Sequence, residues 1–93
     1  MIKNFLHKQL ERFHKSGKSK DGGFIAANKR KKVLTKLDAM EMAEKLDDLR
    51  IPSNRLHKTA GKWNITIARG YPFRIFFDWE GGNITNVDWS DPH

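Results

Sequence analysis

The 93-residue sequence predicts an α+β fold, with two N-terminal helices packed on a mainly antiparallel, twisted sheet. Three observations predict it. Residues 63–89 alternate apolar and polar positions with period two, in three runs separated by short polar turns. Residues 6–40 instead space their apolar positions by three and four, as helix faces do. Finally, a chain of this length has room for one sheet and two or three helices on one core, so residues 1–93 are expected to form a single domain.

Residues 2–5 are expected as a short edge strand. From Leu6 a helix fits, with Leu6, Leu10 and Phe13 on its buried face and Lys8, Glu11, Arg12 and Lys15 outside. Residues 16–23 are a loop by composition, with Asp21 a candidate cap for the next helix. That second helix is predicted over residues 24–37, with Ala26, Val33, Leu34, Leu37 and then Met40 on its apolar side. Lys29, Lys32 and Lys36 stack as a basic stripe, and Lys31 points away from both faces. Arg30 falls on the apolar side, to snorkel round its edge or to meet a carboxylate. The acidic residues 38–50 read as a short helix or turn that docks Ala43, Leu46 and Leu49, and Pro52 ends it.

Residues 55–58 then begin an extended segment that bends at residues 59–61 and enters a strand over residues 63–68. Trp63, Ile65 and Ile67 share one face of it, Asn64, Thr66 and Ala68 the other. Arg69-Gly70 is predicted as a tight hairpin turn. In the next strand, over residues 73–79, Phe73, Ile75, Phe77 and Trp79 oppose Arg74, Phe76 and Asp78. The last strand, over residues 84–89, sets Ile84, Asn86 and Asp88 against Thr85, Val87 and Trp89. Trp63, Ile65, Phe73, Ile75 and Phe77 are the predicted core of the sheet. The plainer role for Arg74 is a same-face ion pair with Asp78.

Charge is distributed unevenly. Residues 1–37 hold eleven Lys and Arg against two acids, a net of +9, while residues 38–50 are net −3 and residues 51–93 net +1. A basic front half points to a polyanion partner, nucleic acid before membrane, against the plainer alternative of a solvated charged surface. With no cysteine, disulfides, thiolate chemistry and cysteine–zinc sites are excluded. There is no apolar leader and no apolar run of about 18 residues, so a soluble cytoplasmic protein is expected. No phosphate-binding loop, dinucleotide fingerprint or nucleophile elbow occurs, and no metal or cofactor is expected.

Of the four histidines, His7 and His14 lie among helical lysines and are expected at the surface. His57 precedes the sheet region and His93 ends the sequence. If the partner is RNA, metal-free cleavage needs three parts. A base takes the proton of the ribose 2′-OH, a cation stabilises the phosphoryl oxygens, and an acid protonates the departing 5′ oxygen. Histidine titrates near neutrality and arginine forks onto two phosphate oxygens. His57, Arg74 and His93, with Lys58 and Asp91 near them in sequence, make up such a set.

These residues also carry a resemblance. In order along the chain, Ile2-Lys3-Asn4-Phe5, Leu37-Asp38-Ala39, Asp48-Leu49-Arg50-Ile51-Pro52, Asn54-Arg55-Leu56-His57, Gly61-Lys62-Trp63-Asn64-Ile65, Phe73-Arg74-Ile75-Phe76-Phe77 and the ending from Val87-Asp88 to Asp91 and His93 resemble the HigB-type toxins of the RelE superfamily. The resemblance implies a RelE-like microbial-ribonuclease-type fold. It implies a ribosome-dependent endoribonuclease that cuts mRNA in the decoding site, leaving a 2′,3′-cyclic phosphate. It further implies a cognate helix-turn-helix antitoxin of the HigA type, through which operator DNA is bound.

The family's functional positions carry over to His57, Arg74, Asp91 and His93, with Lys58 beside them. Contacts to ribosomal RNA and mRNA would come from Lys29, Arg30, Lys31, Lys32, Lys36, Arg55, Lys62 and Arg69. The sequence departs from the family twice. Pro92 stands where a tyrosine is usual, leaving Trp89 or Tyr71 as a substitute stacking surface. Ala60 stands where a lysine is usual, with Lys58 and Lys62 flanking it. The alternatives are a gyrase-poisoning toxin of the ParE branch and a basic RNA-binding module that does not cleave.

Overall fold

Helix α1 spans Lys8–Ser16 in the computed structural model, which describes residues 1–92. The His7 ring starts the helix: its Nδ1 accepts from the Leu10 amide at 3.0 Å. Gly17, at φ 67°, ends it by donating to the Phe13 carbonyl at 2.8 Å. Leu10 and Phe13 are buried as expected, but Leu6 is 54% exposed. It lies before the cap, outside the helical repeat, where its amide donates to the Val87 carbonyl at 2.8 Å. The expectation of surface histidines in this helix also fails. The His7 ring packs 4.8 Å from Phe24, and His14 is half-buried, 3.4 Å from Asp38 of the second helix.

Asp21 does not cap that second helix. It accepts from the Ser16 hydroxyl at 2.6 Å and closes the loop instead. Helix α2 spans Arg30–Met42, starting and ending later than its pattern predicted, after a short turn at Ala27–Lys29. Val33, Leu37 and Met40 are its buried residues, whereas Ala26 lies before it and is exposed. Arg30 neither snorkels nor meets a carboxylate. Its Nε donates to the Gly22 and Ile25 carbonyls at 2.8 and 3.1 Å, tying the preceding loop to the helix. Beyond α2, Ala43 and Leu49 are buried and Leu46 packs at their edge. The Asp48 carboxylate accepts from the Glu44 and Lys45 amides, which hold its pKa below the ordinary value.

Four antiparallel strands complete the chain in the order β1-β2-β3-β4: His57–Thr59, Lys62–Thr66, Arg74–Glu80 and Asn83–Ser90. The bend at residues 59–61 is a hairpin, so the segment before it forms a fourth strand. Its turn residues Ala60 and Gly61 have φ of 52° and 84°, as a two-residue primed turn demands. β2 stops at Thr66, and the connection to β3 is wider than a hairpin on Arg69-Gly70. The Tyr71 amide closes it onto the Ala68 carbonyl at 3.1 Å, with Gly70 at φ 82°. Residues 2–5 form no strand. They make two parallel bridges to β4, Ile2 with Ile84 and Phe5 with Val87.

β4 breaks the predicted alternation. Its register slips between Phe76↔Asp88 and Asp78↔Thr85, and Asn86 sits at φ 54°. The extra residue is a bulge. It brings Ile84, Val87 and Trp89 all into the core and leaves Asp88 on the side of Phe76. Asn4 holds it by accepting from the Asn86 amide and donating to its side-chain oxygen, both at 3.0 Å.

The core joins Leu10, Phe13, Val33, Leu37 and Met40 from the helices to Ile65, Ile75, Phe77, Ile84 and Val87 from the sheet. Burying each such side chain contributes about 1.5–3 kcal/mol. Trp63 and Phe73 pack only at its rim. Thr85 Oγ1 is buried without a hydrogen-bond partner among the described residues.

Candidate functional site

The helices cover one face of the sheet. The other face carries Lys62, Asn64 and Thr66 from β2, Arg74, Phe76 and Asp78 from β3, and Asp88 and Ser90 from β4, by strand alternation and the observed register. Arg74 is half-buried here. Its NH1 group donates to Asn64 Oδ1 at 3.0 Å and lies 3.4 Å from both ring nitrogens of His57. A group equidistant from both nitrogens cannot lie in the ring plane without colliding with the carbon between them. The guanidinium therefore rests against the ring and leaves the in-plane direction of Nε2 open among the described residues.

Asn64 assembles this pair. It is fully buried, receives Arg74 on its oxygen, and donates from its nitrogen to the His57 carbonyl at 3.2 Å and the Thr59 hydroxyl at 3.3 Å. The His57 tautomer is set by the Arg55 carbonyl, 3.0 Å from Nδ1. A carbonyl only accepts, so Nδ1 carries the proton and the neutral ring has its lone pair on Nε2. Arg55 itself is at φ 46°, an uncommon conformation for a non-glycine residue.

Asp78 is not the partner of Arg74. Its Oδ2 accepts from Lys62 at 2.8 Å and from the Asn86 amide nitrogen at 2.9 Å. The Asn86 hydrogen bond, and after it that of Lys62, lower its pKa. Two concavities flank Arg74 on the open face. A cleft of about 400 Å³ is lined by Gly70, Tyr71, Pro72 and Arg74. A smaller one, of about 190 Å³, lies around Phe76.

The remaining candidates are scattered. Lys58 pairs across the strands with Trp63 and holds its ammonium 5.5 Å over that indole, so it alternates to the side away from Arg74. Asp91 is exposed just after β4, and His93 lies outside the described residues. Lys62 is taken by Asp78, and Arg30 by the loop carbonyls. Lys36 is half-buried: its ammonium donates to the Ser53 carbonyl at 3.1 Å and Asn54 Oδ1 at 2.7 Å. Burial and then Lys32 lower its pKa. Lys31 does not stand apart from the stripe. It lines a groove of about 510 Å³ together with Lys32, Lys36 and Ile51.

Lys31, Lys32, Arg55 and Arg69 are exposed, and Lys29 is half-buried. Of the two substitute stacking residues, Trp89 is closed off and Tyr71 is half-buried at the wall of the cleft beside Arg74. Trp89 is 7% exposed, with Phe73 stacked on its face at 5.3 Å. The Tyr71 hydroxyl accepts from the Ala26 amide at 3.3 Å, and its ring packs 5.6 Å from Phe73. Sequence reasoning missed Asn64. Its only signal was an amide in the alternation beside Arg74.

Among the described residues no group of three His, Asp or Glu side chains is placed to hold a metal ion, and no helix is long and apolar enough to cross a membrane. Residues 3–93 match the HigB-like toxin family model, described as the RelE-like toxin of type II toxin-antitoxin system HigB. No curated protein matches the chain.

Proposed function

The chain belongs to the HigB-like family of type II toxins, and from that premise we propose that it is a ribosome-dependent endoribonuclease that cleaves mRNA in the decoding site. One observation carries this reading: Arg74 and His57 share an open sheet face, held together by Asn64. His57 Nε2 takes the proton of the ribose 2′-OH. The freed oxygen attacks the adjacent phosphorus, and the Arg74 guanidinium stabilises the charge that gathers on the phosphoryl oxygens. The bond to the 5′ oxygen breaks, leaving a 2′,3′-cyclic phosphate. Asp91 and His93 are assigned the proton delivered to that oxygen by resemblance alone.

A positioned base contributes about 10²–10⁴-fold, and a charged clamp on the developing oxyanion a comparable factor. Contacts to ribosomal RNA are assigned to the exposed Lys31, Lys32, Arg55 and Arg69, with Lys29 beside them. Type II membership implies a protein antitoxin. We assign that partner to the HigA-type helix-turn-helix class, bridging to operator DNA, and the complex to the cytoplasm.

The test is primer extension on mRNA with purified ribosomes. The protein should yield new 5′ ends that Arg74→Ala loses by at least about 100-fold. Full cleavage by Arg74→Ala refutes the mechanism, and ribosome binding without new ends refutes the enzyme.

A further inference from the structure

Leu6 is among the few large apolar side chains that the described residues expose, at 54%. It is also not alone. Leu6 and Phe76 both line the cavity of about 190 Å³ on the open sheet face. Two apolar walls are out of place on a face otherwise made of Lys62, Asn64, Arg74, Asp78 and Ser90. The polar groups at the cavity differ in what they have left to offer. Lys62 donates to Asp78, and Asn86 uses its nitrogen on Asp78 and its oxygen on Asn4. Asp88 uses only Oδ1, which accepts from the Trp89 amide at 2.9 Å. Its Oδ2 has no hydrogen-bond partner among the described residues.

The cavity is also in register with Arg74. Phe76 lies two residues further along β3 on the same face, about 7 Å away by strand geometry. Ser90, at the cavity rim, is the cross-strand partner of Arg74, and Asp88 that of Phe76. A phosphate on Arg74 would thus have a slot for a planar ring about one nucleotide step away.

We propose that this cavity binds a nucleobase of the RNA and that Asp88 makes it prefer guanine. Leu6 and Phe76 cover the two flat faces of the base, as apolar and aromatic side chains do for splayed single-stranded bases. Asp88 meets the base edge. The carboxylate still offers two acceptors, Oδ2 and the second lone pair that Oδ1 keeps beside the Trp89 amide, so it selects the edge with two adjacent donors. Guanine has one, in N1–H and the N2 amino group. Adenine and cytosine set an acceptor nitrogen beside their amino group, and uracil flanks its single N–H with carbonyls. Each of these turns a lone pair towards the carboxylate. The proposal rests on the reading of Arg74 as the phosphate clamp, because that places the RNA chain beside the cavity.

The test titrates the four nucleoside 5′-monophosphates into the purified full-length chain, followed by NMR. All four carry the same phosphate, so differences among them report the base. Guanosine monophosphate should bind about tenfold or more tighter than the others, the span expected of a two-donor contact. Its H8 proton should shift upfield under the Phe76 ring. Asp88→Asn should reduce the guanine preference to below about threefold. Leu6→Ser should weaken all four ligands; the position is exposed, so the variant folds.

Equal affinities for the four nucleotides overturn the proposal, as do shifts confined to Arg74 and His57. Guanine preference without mRNA cleavage sinks the nuclease reading alone. Cleavage by a protein that binds all four nucleotides equally sinks the base site alone.

Discussion

Asn64 offers the sharpest perturbation, because it separates holding Arg74 from charging it. Asn64→Ala removes three hydrogen bonds, from Arg74 and to the His57 carbonyl and Thr59 hydroxyl. At about 1 kcal/mol each the gross loss is about 3 kcal/mol. Arg74 and Thr59 can turn partly to water, which leaves about 2 kcal/mol and lowers Tm by roughly 8–16 °C for a domain of this size. Asn64→Asp keeps the shape and the acceptor for Arg74 but replaces the amide donor with a charge. Its carboxylate pairs with the guanidinium and competes with phosphate for it.

A charged hydrogen bond is worth about 1.5–3 kcal/mol, so Asn64→Asp should lose roughly 10- to 150-fold in cleavage. Asn64→Ala should lose activity through misplacement of Arg74 and His57. The assay pairs thermal melts with single-turnover cleavage of ribosome-bound mRNA. Wild-type cleavage by Asn64→Asp would refute the argument that a free Arg74 charge acts on the phosphate.

Packing and buried polar groups set three further outcomes. A Cβ at Gly22 would lie 2.8 Å from Cε1 of the buried Phe13 ring, so Gly22→Ala should cost about 1–3 kcal/mol in urea unfolding with an unchanged slope. Thr85→Val removes the unpartnered buried hydroxyl at nearly constant shape and should raise stability by about 1 kcal/mol; a loss would mean that Oγ1 has a partner. Asp78 has a folded pKa lowered by Asn86 and Lys62, so its contribution is present above the ordinary carboxylate value and lost as pH falls through the folded one. Asp78→Asn should therefore be less stable than wild type at pH 7, by a margin that shrinks below about pH 4. An equal margin at pH 3 would contradict the assignment.

Much of this arrangement was legible in residue spacing, and the failures have physical causes. The central strand read correctly because Ile75 and Phe77 alternate cleanly with Arg74 and Phe76. The last strand did not, because Asn86 adds one residue and shifts every side chain after it to the other face. The apolar spacing from Ile84 to Val87 held that signal: three residues is odd for one strand face. β1 has three exposed residues and no apolar pattern, so only its pairing with β2 reveals it.

Arg30 carried a misleading charge, because helical periodicity cannot show that the free carbonyls of a loop are its acceptors. At the site, Arg74 stood out by type as a cation in an apolar strand. Asn64 and Leu6 did not, since an amide in a strand and a leucine before a helix are ordinary until their neighbours are known.

The parallel bridges of Ile2 to Ile84 and Phe5 to Val87 set an order of assembly. Both helices and the hairpins up to β3 close over short stretches of sequence, so they can form while a chain is still being synthesised. The bridges join residues 82 apart and close the longest loop in the molecule. Residues 2–5 are thus held by contacts of high sequence separation, which cost the most chain entropy to close. Arg74 likewise waits for Ser90, its strand partner, to leave the exit tunnel. Until β4 is made, the edge of β3 has no partner strand and residues 2–5 have nothing to bridge to.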